Sequence, residues 1–158
     1  MLKLIGVYMA KTKNNDKDSE FEIQNAIDEI AEKTSMIIEH YQNVDKRTSL
    51  GRQVKALEIS LQALQESCTA DASIMCSLQL DKSLADIKLS IQKEVDEMAE
   101  TIKTNSPTIF SKVSMNKALK NKKNLLALIK KITEDNANLR ELLIACCAVA
   151  VRGKKNNY

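Results

Sequence analysis

The sequence predicts an all-α protein, an antiparallel up-down four-helix bundle with a long C-terminal helix. Three observations predict it. Glycine numbers 3, proline 1 and tryptophan 0, with only 2 phenylalanines and 3 tyrosines, whereas sheets draw on aromatic and turn-forming residues. Apolar residues recur at alternating spacings of four and three in four separate stretches, the repeat that keeps one helix face toward a neighbour. The connections between the stretches are short, which makes successive helices antiparallel neighbours. A chain of 158 residues forms one domain burying roughly 70% of its unfolded surface, so it needs neither disulfide nor metal to fold.

Residues 1–18 read as an apolar segment followed by a polar linker, 19–151 as the bundle and 152–158 as a basic tail. Ser19-Glu20-Phe21-Glu22 fits a capping box and opens the first helix. Its stripe runs Ile23, Ile27, Ile30, Thr34, Ile37, Tyr41 and Val44. The next stripe, Leu50, Val54, Leu57, Leu61 and Leu64, starts six residues after Val44 where the repeat predicts seven. A tight turn near residues 43–45 absorbs the slip, with Asp45 or Thr48 capping the second helix. Residues 68–77 read as a small-residue connection. The third stripe is Leu80, Leu84, Ile87, Ile91, Val95, Met98 and Ile102, ending before Asn105-Ser106-Pro107, because the residue before a proline is pushed out of the helical region. Residues 107–114 read as a loop, with Ile109 and Phe110 as a lid on the core.

The fourth helix is expected to start at residues 114–116 and to carry Leu125, Ile129, Ile132, Asn136, Leu139, Leu143 and Cys146. Asn136 on that stripe fixes register or faces a wet rim. The rival is a break at residues 135–138, with Asn138 capping a fifth helix. The unbroken phase favours one helix. Helices one to three would each be about 22–25 residues and a helix over 115–151 about 55 Å long, so its end would overhang. That end is the run Leu142-Leu143-Ile144-Ala145-Cys146-Cys147-Ala148-Val149-Ala150-Val151, apolar on every side, and something must cover it. Residues 1–10 folding back, a second copy, a partner helix or a lipid interface would serve.

Enzymatic chemistry is not expected. There is one histidine, His40, read as a half-exposed bundle residue. Ile37 stands where a di-iron Glu-x-x-His motif would need its glutamate, and the 3 glycines build no phosphate-cradling loop. The four cysteines (Cys68, Cys76, Cys146, Cys147) form no CxxC and no zinc spacing. They read as thiols of a reducing, cytoplasmic compartment, with packing as the default role of Cys146 and Cys147 and S-acylation the sharper alternative. No cofactor, nucleic acid or small-molecule substrate is expected. Residues 1–11 are too short in apolar core for a signal peptide, and no stretch reaches the roughly 18 apolar residues of a spanning helix, so a soluble chain is expected.

Charge is distributed unevenly. Residues 18–45 hold eight acids and one lysine, and residues 101–133 eight lysines and no acid. Either two adjacent helices of opposite sign attract each other, or a lysine-rich face awaits an anionic surface. Without interleaved aromatics or arginines those lysines do not suit nucleic acid, whereas a plane of phosphate headgroups suits them.

The order of features from Ile23 to Leu143 resembles the N-terminal four-helix bundle of the mixed-lineage-kinase-like and HeLo group of cell-death domains. Lys46-Arg47-Thr48-Ser49-Leu50-Gly51-Arg52-Gln53-Val54 is similar to that group's second-helix start, and a long third helix, a loop with Phe110 and a Leu/Ile-rich fourth helix follow. The resemblance implies a bundle that oligomerises, binds anionic phospholipid and permeabilises the plasma membrane from its inner face, with Lys46, Arg47, Arg52 and Lys55 as lipid contacts. No kinase-like domain follows the bundle here, and the first helix is acidic. The basic load falls largely on Lys117, Lys120, Lys122 and Lys123 and on Arg152, Lys154 and Lys155. With Leu143, Ile144, Val149 and Val151, these complete the candidate membrane or partner surface. The alternative is an interaction scaffold, adaptor or effector domain that docks a partner helix, with the chain itself a homo-oligomer.

Overall fold

A computed structural model describes residues 16–104 and 108–156 of the chain. It holds four helices and, among the described residues, no strand: α1 Asp16–His40, α2 Ser49–Glu66, α3 Ala70–Thr104 and α4 Ile109–Asn156. Each packs against two others, α1 and α3 both lying against α2 and α4. The packing is that of a bundle with one core.

That core is the four stripes. Ile23, Ile27, Ile30 and Ile37 of α1, with Tyr41 directly after it, meet Val54, Leu57, Leu61 and Leu64 of α2. Leu80, Leu84, Ile87, Ile91 and Val95 of α3 meet Leu125, Ile129, Ile132, Leu139 and Leu143 of α4, and all are buried. Burial of these branched aliphatic side chains, each worth roughly 1.5–3 kcal/mol, is the main force holding the helices together.

Three element boundaries differ from the sequence reading. Helix α1 starts at Asp16, so Ser19 lies inside it and does not cap it. Residues 70–77 are not a connection but the first two turns of α3, which is 35 residues long. Ala70, Ser73 and Ser77 continue the stripe below Leu80 and are themselves buried. Small side chains there let α2 and α3 approach, and Ser67 and Ser73 share a hydrogen bond of 2.6 Å. The loop expected over 107–114 is helical from Ile109. Thr108 caps α4, its Oγ1 accepting from the Ser111 N–H at 3.3 Å. The lid role given to Ile109 and Phe110 concerns side chains outside the described residues.

The α1–α2 turn follows one of its two options. Thr48 caps α2, its Oγ1 accepting from the Gly51 N–H at 3.0 Å. Asp45 instead accepts from the Arg47 N–H at 2.9 Å. Gly51 is demanded by close approach, since a Cβ there would lie 2.1 Å from the Asp45 carbonyl oxygen.

Helix α4 is continuous through Asn136, so no fifth helix forms. Ser77 Oγ donates to Asn136 Oδ1 at 2.6 Å. Asn136 Nδ2 donates to Ser77 O at 2.8 Å and to Asp81 Oδ1 at 2.7 Å. Arg140 closes the group on Asp81 at 2.6 Å. On the other flank Lys33 is paired with Asp135. Further bonds join Ser60 to Ser83 at 2.9 Å and Ser90 to Gln53 at 2.6 Å across α2 and α3. The expectation of equal companions fails, because α1, α2 and α3 have 25, 18 and 35 residues. At 48 residues, or about 72 Å, α4 still exceeds each.

Candidate functional site

Four lysines of α4 were nominated together, and the structure separates them. Lys122 lies in phase with Leu125 and Ile129, on the core stripe, with its side chain 17% exposed. Its Nζ pairs with Glu94 of α3 at 2.7 Å and donates at 3.0 Å to the hydroxyl of Tyr41, the residue that directly follows α1. Burial pulls this ammonium down, and the bonds to Glu94 and Tyr41 outweigh it, leaving the pKa above its ordinary value. Burial likewise pushes the Tyr41 hydroxyl up, against the pull of the Lys122 bond. Lys122 is therefore a fastener between three helices. Glu94 escaped the sequence reading, and Tyr41 is read there only as a stripe residue. The signal was there, because a lysine at a stripe position needs a partner within reach.

The fastener fixes the geometry of its surroundings. It holds residue 122 of α4 against the end of α1, immediately before the turn that carries Lys46 and Arg47. Lys117, Lys120 and Lys123 are all exposed and lie within five residues of Lys122, about 7.5 Å along the axis. Two basic clusters some seventy residues apart in sequence thus lie toward the same end of the bundle. Among the described residues no acid lies within ion-pair distance of Lys46, Lys117, Lys120 or Lys123. Arg47 is paired with Asp45 at 3.3 Å with its side chain 91% exposed. Arg52 donates to the Arg47 carbonyl at 2.6 Å. Lys55 stands 3.8 Å from Glu58.

Beneath this end runs a groove between α1 and α2, floored by Ile38, Tyr41, Val44 and Val54 with Lys46 and Lys55 on its rim. The same end of α3 carries exposed Glu97 and Glu100 beside exposed Lys103, so its charge is mixed. The expected attraction between acidic α1 and basic α4 is not the contact that forms. The pair across that seam joins Lys33 of α1 to Asp135 of α4, while Lys122 and Arg140 of α4 pair with Glu94 and Asp81 of α3.

The nominated C-terminal residues scatter. Leu143 is fully buried in the core and takes no part in an exposed surface, whereas Ile144 is 55% exposed. Val149, Val151, Arg152, Lys154 and Lys155 continue α4, but their side chains lie outside the described residues. Ile144 is about 36 Å from Lys120 along α4, so the basic cluster and the apolar run occupy opposite ends instead of one surface. Cys147 Sγ donates to Asp71 Oδ1 at 3.3 Å, and burial, then that bond, push its pKa up to about 11. No group of three or more His, Cys, Asp or Glu among the described residues could hold a metal ion. No helix among them is long and apolar enough to cross a membrane.

The molecule is thus a four-helix all-α protein with a basic end. Scanned against protein-family models, curated proteins and solved structures, the chain matches none.

Proposed function

We propose that this is a non-enzymatic bundle that associates with anionic membranes through its basic end. The observation that carries the reading is the placement of Lys46 and Arg47 toward the same end of the bundle as Lys117, Lys120 and Lys123, where cations outnumber their partners. A lysine or arginine near an anionic bilayer surface is worth about 1 kcal/mol, so these four lysines and one arginine acting together recruit the chain at physiological salt. The bundle is read as antiparallel and up-down. Partner numbers that fall on one helix as they rise on the next support this: 53 with 90 and 60 with 83, 81 with 140 and 94 with 122, 33 with 135 and 41 with 122. In that arrangement the basic cations sit at one end, free to face a headgroup plane. The anionic inner leaflet of the plasma membrane is the matching surface, and the HeLo-like resemblance adds oligomerisation and permeabilisation once the chain is bound.

Co-sedimentation with phosphatidylcholine vesicles of graded phosphatidylserine content tests the reading. Binding is expected to rise with anionic content and to weaken with salt. Lys46→Glu with Arg47→Glu, and separately Lys117→Glu with Lys120→Glu and Lys123→Glu, are each expected to abolish it. Dye release from the same vesicles checks permeabilisation. Absence of binding at low salt, or loss on altering one cluster only, overturns the shared surface. A stable complex with a helical partner in place of vesicle binding would favour the scaffold reading.

A further inference from the structure

The face of α3 turned away from the core carries a pattern of its own. Leu80, Leu84, Ile87 and Ile91 bury the inner face, and residues seven apart recur at nearly the same angle. Met75, Lys82, Leu89 and Asp96 therefore form one ridge on the outside of the helix. All four are exposed, and Leu89, at 71%, is the most exposed large apolar side chain among the described residues. Asp86 and Lys93, also exposed, share one flank of the ridge. Among the described residues no ion pair within the molecule engages Lys82, Asp86, Lys93 or Asp96. Asp96 accepts a hydrogen bond of 3.0 Å from Gln92.

The order of these charges is self-complementary. Lys82 and Asp96 lie seven residues to either side of Leu89. A second copy related by a two-fold axis through Leu89 runs its α3 antiparallel to the first, and each pairing then occurs twice. Leu89 meets Leu89, Lys82 faces Asp96 of the second copy, and Asp86 faces its Lys93. Opposite charges thus surround one apolar contact, with Met75 over the stem of Lys103 at either end. A parallel copy in register would set like charge against like at every step, a mismatch that selects against it. Residues 75–103 extend about 42 Å and a helix is about 12 Å across, so the face offers on the order of 500 Å² per copy. That is the low end for a specific interface. We propose that the chain forms an antiparallel homodimer through the outer face of α3, centred on Leu89 and held in register by the Lys82–Asp96 and Asp86–Lys93 pairs. The two basic ends then lie toward opposite ends of the dimer, so the contact neither needs nor blocks the vesicle-binding surface.

Sedimentation equilibrium of the full chain without lipid, over about 1 to 100 μM, tests the contact in the range that an interface of this size supports. Its outcome does not depend on vesicle binding. A monomer–dimer equilibrium is expected. Lys82→Asp and Asp96→Lys are each expected to weaken it at least about tenfold, because each sets like charges together twice. An equimolar mixture of the two variants is expected to dimerise as the native chain does, since every pair across the axis is again opposite. Leu89→Glu is expected to abolish the dimer. The three altered residues are exposed, so circular dichroism should show full helicity in each variant. A native chain that stays monomeric at the highest concentration overturns the dimer. Dimerisation indifferent to both single charge variants overturns this face, and a mixture that stays monomeric overturns the antiparallel register.

Discussion

Lys122 places its Nζ 4.4 Å from the centroid of the Tyr41 ring while donating to that ring's hydroxyl at 3.0 Å. The Tyr41 ring in turn meets His40 edge-on, with centroids 4.8 Å apart. Through this chain of contacts the charge of α4 reaches the one histidine of the protein. Desolvation, then the Lys122 charge, lowers the His40 pKa below 6.5, against the pull of Glu94. A lowered pKa means that the folded state disfavours the proton. The stability tied to His40 is therefore full above pH 6.5 and is lost as pH falls through the lowered value. A single imidazole C2 proton followed by NMR reads this directly. We expect a midpoint below 6.5, moved up in Lys122→Met and further down in Glu94→Gln. A midpoint that ignores both substitutions would break the electrostatic link.

Asn136 satisfies its whole amide within the core, accepting from Ser77 and donating to the Ser77 carbonyl and Asp81. Asn136→Ala leaves a cavity and strips Asp81 of one buried donor. We expect it to destabilise the bundle by about 2–4 kcal/mol, read from urea unfolding. In a double-mutant cycle with Asp81→Ala the two losses should add to less than their sum, because each variant already breaks the shared bond. Strict additivity would mean that the network contributes nothing cooperative.

The four stripes were legible because large aliphatic residues at alternating spacings have one reading, and all but Val44, Leu50, Met98, Ile102 and Cys146 among the named positions are buried. What escaped the sequence was the same periodicity carried by other residue types. Ala70, Ser73 and Ser77 keep the phase of α3 but look like a linker, since small polar residues are also what connections use. Lys122 keeps the phase of α4 but looks like a solvated face. Its partner Glu94 lies 28 residues away on another helix, a distance no local pattern encodes. The basic end was legible only as two lists of residues. That they lie toward one end depends on helix order and register, which no local pattern encodes and which the Lys122–Tyr41 bond reports.

Cys147 is expected to be a poor nucleophile. With its pKa pushed up to about 11 by burial and by the carboxylate of Asp71, its thiolate fraction at pH 8 falls about a hundredfold below that of an ordinary thiol. Iodoacetamide labelling followed by peptide mapping should modify Cys68 well before Cys147, and Asp71→Asn should speed Cys147. Labelling of Cys147 as fast as Cys68 in the native chain would contradict the bond to Asp71.

Gly51 opens α2 against the α1–α2 turn, where an added Cβ would meet Asp45 O at 2.1 Å and Lys46 Cα at 2.8 Å. Both obstacles are backbone, so no rotamer can move aside. Gly51→Ala is expected to displace the turn and lower stability by roughly 1–3 kcal/mol. If the basic end is the working surface, the same variant also weakens vesicle binding at temperatures where it stays folded, because Lys46 is displaced. Wild-type stability would show that the turn yields without strain.

Thr34 tests the core in the opposite direction. It is fully buried on the α1 stripe, and its Oγ1 has no hydrogen-bond partner. A hydroxyl desolvated without compensation costs about 1–3 kcal/mol. Valine has nearly the same shape and replaces that hydroxyl with a methyl group, at a position flanked by Ile30 and Ile37, both fully buried. Thr34→Val should therefore stabilise the bundle by about 1 kcal/mol or more, raising its urea midpoint without changing the slope of the transition. A loss of stability would mean that the hydroxyl has a partner in solution, an internal water at the level of the Asn136 network being the first to look for.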